Sequence, residues 1–247
     1  MTEDQQYPGL ELDLFAMARN WKAYIRHEIG GYIKGHILEV GAGIGQTAKA
    51  LINGHEESWI CLEPDRRLAE RIAVTLNTNS MDQSKRPETI VGNIDHPACD
   101  REFDTILYID VLEHIENDRL EINKAGQRLK KNGFLIVLAP AHQYLFSPFD
   151  ATIGHFRRYH RKRLIAISPE NTTIVRIRYL DCIGCLASLA NKIILRSGIP
   201  TQNQIMFWDR VMVPLSRIFD SVFGYQIGKS IYAVWQKKIN FINECSR

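Results

Sequence analysis

Apolar positions recur at helical spacing over residues 10–34, where Leu10, Leu14, Met17, Trp21, Tyr24, Ile25 and Ile29 lie three or four residues apart. Gly30, Gly31 and Gly35 then punctuate the pattern, and short apolar runs take over. Residues 36–40, 59–63, 89–91, 103–109 and 134–139 read as five strands. Helical patterns occupy 46–52, about 65–76 behind Pro64, and 118–131, the last closed by Asn132-Gly133. A polar loop spans 77–87. This alternation predicts βαβ units around a parallel sheet, and the fully apolar fourth and fifth strands predict central positions covered on both faces. Beyond residue 140 the rhythm changes. Strands are expected at 172–180 and 230–235, with helical, aromatic-rich sequence between them. The fold expected is α/β: a doubly wound, mostly parallel, seven-stranded Rossmann-like sheet with a helical insertion between its last two strands. The units are a helical cap at 1–35, a core at 36–180 with an acceptor loop at 141–163, an insertion or lid at 181–228, and a last strand and tail at 229–247.

Glycines between a strand and a helix let the chain turn tightly and let a ligand approach the backbone. Glu39-Val40-Gly41-Ala42-Gly43-Ile44-Gly45 has that placement. Spacing alone also allows a dinucleotide site, since a glycine triplet is weakly specific. Glu63 ends the next strand, where a carboxylate suits the two ribose hydroxyls of an adenosine cofactor. These segments, with Leu62-Glu63-Pro64-Asp65, Phe103-Asp104-Thr105-Ile106-Leu107, Asp110-Val111-Leu112-Glu113-His114-Ile115 and Leu129-Lys130-Lys131-Asn132-Gly133-Phe134, resemble the class I S-adenosylmethionine-dependent methyltransferases in family order.

The resemblance implies S-adenosyl-L-methionine as cofactor and assigns positions to it. Gly41, Gly43 and Gly45 would lie against its amino-acid part, with Glu39 acting near the ammonium through the loop. Glu63 and Pro64 would meet the ribose, and Asn93 and Ile94 would frame the adenine, with Asn93 standing where the family often has Asp. Asp110 and Val111 would floor the site beside the methyl group. Trp21 and Tyr24 either cap the sulfonium, which an aromatic face favours, or pack in the core. His114, near the end of a central strand, is placed either as a proton acceptor or as a structural residue.

Residues 151–169 contain no acid, and five Lys or Arg fall within 157–163. Gly154-His155-Phe156-Arg157-Arg158-Tyr159 resembles a methyltransferase subgroup met beside glycosyltransferases. Its position after the fifth strand makes His155 a second candidate base and Arg157, Arg158 and Tyr159 candidate acceptor contacts. Arginine forks recognise carboxylates and phosphates, and the other reading pairs them with acids of the core. No metal is expected, because no spaced ligand cluster appears. Cys182-x-x-Cys185 reads as ordinary core cysteines, with no second pair nearby.

Residues 1–150 carry 16 basic and 23 acidic side chains, residues 151–247 carry 15 and 5. A basic rear third suits an anionic acceptor or surface, or attraction between the two parts. The five scattered cysteines, the acidic N-terminus and the absence of a spanning apolar run place the expected protein in the cytoplasm. The function expected is N- or O-methylation of a small anionic or aromatic biosynthetic intermediate. A phosphorylated lipid or glycolipid at the membrane surface is the alternative acceptor, since 181–228 mixes arginines with large apolar residues. A nucleotide-dependent oxidoreductase and a non-catalytic binding protein are the rivals from other classes. Nucleic acid is not expected, as no Asn-Pro-Pro-Tyr-like motif is present; oligomeric state is not legible.

Overall fold

The computed structural model describes residues 10–76, 86–191 and 200–238. The polar loop expected at 77–87 and the tail after 238 lie mostly or wholly outside them.

Seven strands form one sheet: β1 (Gly35–Val40), β2 (Glu56–Glu63), β3 (Glu88–Val91), β4 (Phe103–Ile109), β5 (Leu129–Pro140), β6 (Thr172–Leu180) and β7 (Ser230–Lys237). Their order is β3-β2-β1-β4-β5-β7-β6. The β3-β2-β1-β4-β5 neighbours pair in parallel, whereas β7 runs antiparallel to both β5 and β6. A dinucleotide-binding sheet would instead continue past its fifth strand with a parallel sixth. The reversal follows from the insertion. The chain leaves β6 at the carboxyl edge, runs through the helices and re-enters at that same edge, with Leu180 opposite Ser230, so β7 runs back through the gap beside β5.

Alternation along the strands builds a core on each face. Leu38, Leu62, Tyr108 and Trp235 join one apolar cluster with Ile122 of α5 (Asp118–Gln127) and Leu164 of α7 (Arg161–Ala166). Their neighbours Ile37, Cys61, Leu107 and Val234 join the other, with α2 (Arg19–Ile29), α3 (Gln46–Leu51), α4 (Arg66–Leu76) and the insertion. The doubly wound architecture is therefore as expected.

Two boundaries differ from the sequence pattern. The single helix expected over 10–34 is α1 (Leu10–Ala16), a break at Met17-Ala18, α2, and a short 3-10 turn over Gly30–Tyr32. The helix expected over 118–131 stops at Gln127, and buried Leu129 pairs with Phe103. Residues 130–133 form a bulge before Phe134 pairs with Thr105, with Asn132 at φ 63°. Sheet pairing of Leu129 outcompetes another half-turn of helix.

The break before α2 is stabilised from far along the chain. Ala18 has no capping side chain, and Asp209 supplies one instead. Its carboxylate accepts the backbone N–H groups of Asn20 (3.2 Å) and Trp21 (2.9 Å), donors that a helix start otherwise leaves unpaired. The insertion that carries it comprises α8 (Cys182–Ala190), α9 (Gln202–Phe207), a π turn over Trp208–Met212 and α10 (Val213–Val222). Two more buried acids fix it. Asp220 accepts from Tyr24 Oη (2.9 Å) and from the Asp181 and Cys182 amides (2.7 and 2.9 Å). Asp181 accepts from Gly184 N, Ser216 Oγ and Trp208 Nε1.

Three of the five acids in the basic rear third are thus internal, so its surface is more basic than its composition. Helix α10 is also inverted: its buried positions include Ser216 and Asp220, while Leu215, Ile218, Phe219 and Val222 face out. Among the described residues, no helix is long and apolar enough to cross a membrane.

Asp209→Ala is expected to lower stability by about 2 kcal/mol through loss of the cap, with Asp209→Asn losing less. Urea unfolding of the three proteins checks this; an unchanged midpoint in Asp209→Ala would show that the cap contributes nothing.

Candidate functional site

The chain leaves β1 through Gly41, Gly43 and Gly45, at φ 70°, 56° and 78°. These left-handed angles are costly for other residues. A Cβ on Gly41 would lie 2.6 Å from a Val111 methyl, so the loop rests on the segment that follows β4. Leu12 of α1 lies on its other side, 3.6 Å from where a Gly43 Cβ would stand.

Glu63 bridges the end of β2 to this loop. Its Oε2 accepts Gly43 N–H at 2.8 Å and its Oε1 accepts Asp65 N–H at 3.0 Å. Burial pushes the carboxyl up to about 7, against the pull of those two amides. Each oxygen keeps a free lone-pair direction, so the group can still receive two vicinal hydroxyls. An acid fixed across a glycine turn at the carboxyl edge of the sheet fits the ribose and amino-acid ends of S-adenosylmethionine. Pro64 is exposed beside it.

Other expected cofactor contacts are placed differently. Glu39 lies beneath the loop, 2% exposed, accepting from Trp59 Nε1 (2.9 Å) and Cys61 Sγ (3.7 Å). Any influence on a ligand acts through the loop, and burial raises its carboxyl to about 7. Asn93 is exposed, with its Oδ1 accepting Asp95 N–H. The Ile94 side chain is fully buried in the core, so it does not face an adenine. Trp21 packs 5.6 Å from Trp208 in the cluster that includes Ala42. Tyr24 is 1% exposed and bonded to Asp220, a strut between α2 and the insertion rather than a cap.

Beyond β4, Asp110 sits at φ 55° with its amide on Leu138 O. Although the residue is exposed, protein around its carboxyl displaces water and raises its pKa above the ordinary carboxylate range, while Lys229 draws it down. Val111 follows, half-buried, and a 3-10 turn over Leu112–His114 carries Glu113 and His114. Glu113 is fully buried. Burial raises its carboxyl well above the usual range, and the charge of Asp110 adds to this. His114 is driven down to about 3, mainly by burial. Its ring stands edge-on to His155, centroids 4.5 Å apart. The two candidate bases therefore meet, and Glu113 joins them. The three offer ligand atoms all within 4.8 Å of one another, a cluster that sequence spacing hid.

The Gly-His-x-Arg-Arg-Tyr segment is internal scaffold. Buried Asp150, on α6 (Pro148–Thr152), accepts from Ser147 N and Oγ at 2.8 and 2.7 Å. It pairs with His155 Nδ1 at 2.9 Å, and the Arg158 fork donates to both its oxygens at 3.0 and 2.9 Å. Burial alone would raise the Asp150 carboxyl, but the His155 and Arg158 hydrogen bonds outweigh it and hold it far below the usual range. Arg157 donates to the Ile115 and Glu116 carbonyls and lies 3.2 Å from Asp118. Tyr159 is fully buried, its hydroxyl 2.9 Å from Asp118 Oδ2. The expected acceptor contacts Arg157, Arg158 and Tyr159 are therefore engaged within the protein, because each reaches an acid or carbonyl of its own chain first.

Sequence reasoning missed Lys229, an isolated cation just before β7. Its Nζ lies 5.1 Å above the Trp208 ring, and burial lowers its pKa. It also missed the role of Asp150, whose spacing of five and eight residues before His155 and Arg158 was the available signal. A cavity of about 370 Å³ lined by His27, Glu28, Arg217 and Tyr225 lies between α2 and α10, away from the glycine loop.

Residues 38–135 match the family described as methyltransferase domain. No curated protein is similar in sequence. Solved structures share the fold at low identity. An S-adenosylmethionine-dependent methyltransferase of Thermotoga maritima is 15% identical, with a TM-score of 0.59, covering 92% of this chain and 95% of its own. The [4+2]-cyclase SpnF is 14% identical with a TM-score of 0.61, covering 90% and 81%. Coclaurine N-methyltransferase, bound to N-methylheliamine and S-adenosylhomocysteine, is 14% identical with a TM-score of 0.56, covering 87% and 72%. Residues 38–135 are thus similar to a methyltransferase domain, and the seven-stranded sheet shares its fold with these solved structures.

Because the folded protein holds Glu39 protonated up to about pH 7, whereas an unfolded chain ionises it near 4.5, ionisation opposes folding as pH rises through that window. Relative to Glu39→Gln, the wild type should lose stability from pH 5 to pH 8, by up to about 3 kcal/mol at 1.4 kcal/mol per pH unit. Denaturant midpoints across pH check this; a gap that stays constant refutes it.

Proposed function

We propose that the protein methylates a nitrogen or oxygen of a small-molecule acceptor, using S-adenosylmethionine bound at the glycine loop. The observation that carries this is Glu63, buried and held by the Gly43 and Asp65 amides at the carboxyl edge of the sheet. The bound cofactor supplies an electrophilic methyl group on a sulfonium. The chain's part is to orient and to exclude water. Glu63 fixes the ribose, the bare Gly43 backbone admits the amino-acid end, and Val111 under Gly41 sets the height of the loop. Catalysis then rests mainly on alignment of the attacking atom with the methyl group. The small amine held by coclaurine N-methyltransferase supports an acceptor of this size. SpnF is a cyclase on the same fold, so methyl transfer needs its own measurement. The arginine pairings remove the main argument for an anionic acceptor, and Lys229 is the cation next to Asp110.

Titration with S-adenosylhomocysteine tests the cofactor site. Glu63→Ala should bind about 100-fold more weakly, the equivalent of two charge-assisted hydrogen bonds. Failure of the folded wild type to bind would sink the proposal. Methyl transfer from labelled S-adenosylmethionine to small amines and phenols then reads the acceptor class.

One observation favours a second reading, a phosphorylated lipid acceptor at a membrane surface. The outward apolar stripe of α10 lies beside exposed Leu186, Phe207 and Val211, with Arg210 and Arg217 also exposed. Such a face suits partial burial among anionic headgroups. The protein should then sediment with phosphatidylglycerol vesicles, less so at high salt, and the double variant Ile218→Glu, Val222→Glu should remain in solution. Equal sedimentation of the variant would reject this reading.

A further inference from the structure

The cluster at Glu113 lies outside the residues assigned to the methyl donor. Both Glu113 carboxylate oxygens are buried and have no hydrogen-bond partner. A buried carboxylate in that condition is costly, and its neighbours increase the cost. Asp110 and Asp150 both add negative potential, which the more distant guanidinium of Arg158 offsets in part. His155 Nε2 lies 3.8 Å from Glu113 Oε1, too long for a hydrogen bond.

The surrounding framework aims two imidazoles at the same point. His155 is fixed through its other nitrogen, Nδ1, by Asp150, itself clamped by Arg158 and Ser147. A carboxylate on one ring nitrogen, leaving the opposite nitrogen for a cation, is the usual outer arrangement around metal-bound histidine. His114 packs against the backbone of Ile153 and Gly154, where Gly154 turns at φ 82°. Phe156 N–H donates to Glu113 O at 2.8 Å, which locks the loop onto the 3-10 turn.

We infer that Glu113, His114 and His155 form a binding site for one divalent transition-metal cation, with Asp150 and Arg158 as positioning residues for His155. Two imidazoles and one carboxylate favour manganese, iron, cobalt or zinc over calcium or magnesium, which take all-oxygen sets. Three protein ligands leave coordination positions open, as in sites that act on a bound molecule rather than closed structural ones. The cluster follows directly on Asp110 and Val111, where the acceptor is expected, so a cation there would lower the pKa of an acceptor hydroxyl. The site uses neither Glu63 nor the glycine loop, and it stands independently of cofactor binding.

The test uses the full chain, stripped with chelator and titrated separately with Co²⁺, Mn²⁺ and Zn²⁺, without cofactor or acceptor. One equivalent should bind at micromolar or tighter affinity and raise the melting temperature. The Co²⁺ form should show ligand-field absorption of a nitrogen-containing site. Glu113→Gln and His155→Asn should abolish that absorption, and Asp150→Asn should weaken binding 10–100-fold. Glu63→Ala should bind metal like the wild type. Glu113→Gln replaces a buried carboxyl that has no hydrogen-bond partner with an amide of the same shape, so it should fold about as well as the stripped wild type; circular dichroism and melting confirm this before titration. Absence of saturable binding to the folded wild type, or wild-type affinity in Glu113→Gln, would overturn the inference and leave a buried His155–Glu113 pair.

Discussion

Segments that leave the sheet's carboxyl edge are tied down by buried carboxylates facing backbone amides. Glu63 does this for the glycine loop, Asp150 for the turn into α6, Asp181 and Asp220 for the start of α8, and Asp209 for α2. Connections here cannot be held by strand pairing, and several turn through left-handed backbone, including Asp110 and Asp181 at φ 55° and 68°. Charge-assisted bonds to N–H groups are stronger than neutral ones, which suits positions where few apolar contacts are available.

The same arrangement explains the arginine-rich segment. A cluster of guanidinium groups suggests capture of an external anion, yet Arg158 meets Asp150, and Arg157 and Arg163 meet Asp118. Asp118 has a buried tyrosine hydroxyl as a further partner. Each acid balances more than one donor, so these ion pairs do not carry the full desolvation penalty of an isolated buried charge. The segment's purpose in the fold is to press His155 against the turn after β4.

The sheet and the glycine loop after β1 were legible because local rules govern them. Continuous apolar runs marked central strands, and glycines marked turns at positive φ. The strand limits at 103–109 and 172–180 coincide with those observed. The placement of Glu63 against the glycine loop was legible because strand, turn and acid follow one another within a single βαβ unit. What was not legible depends on contacts distant in sequence. Nothing near Ala18 announces that Asp209 will cap α2, and nothing near Leu129 shows that Phe103 will draw it into the sheet. Helix α10 has apolar residues at helical spacing, which ordinarily face a core. Here the pull of Asp220 on the Asp181 and Cys182 amides turns the other face inward. His114 and His155 were each visible as chemistry, but only the fold places them together with Glu113.

The segment 110–114 links these features mechanically. Val111 supports Gly41, so the height of the glycine loop depends on the backbone that starts at Asp110. Two residues later the same backbone presents Glu113, whose carbonyl holds Phe156 and whose carboxylate faces His155. Asp110 itself is anchored to β5 through Leu138. A displacement of this turn would therefore move the support of the glycine loop and the His114–His155 pair together. Close packing leaves little room for them to adjust separately. Five residues at one strand end thus fix the spacing between the glycine loop and the histidine cluster.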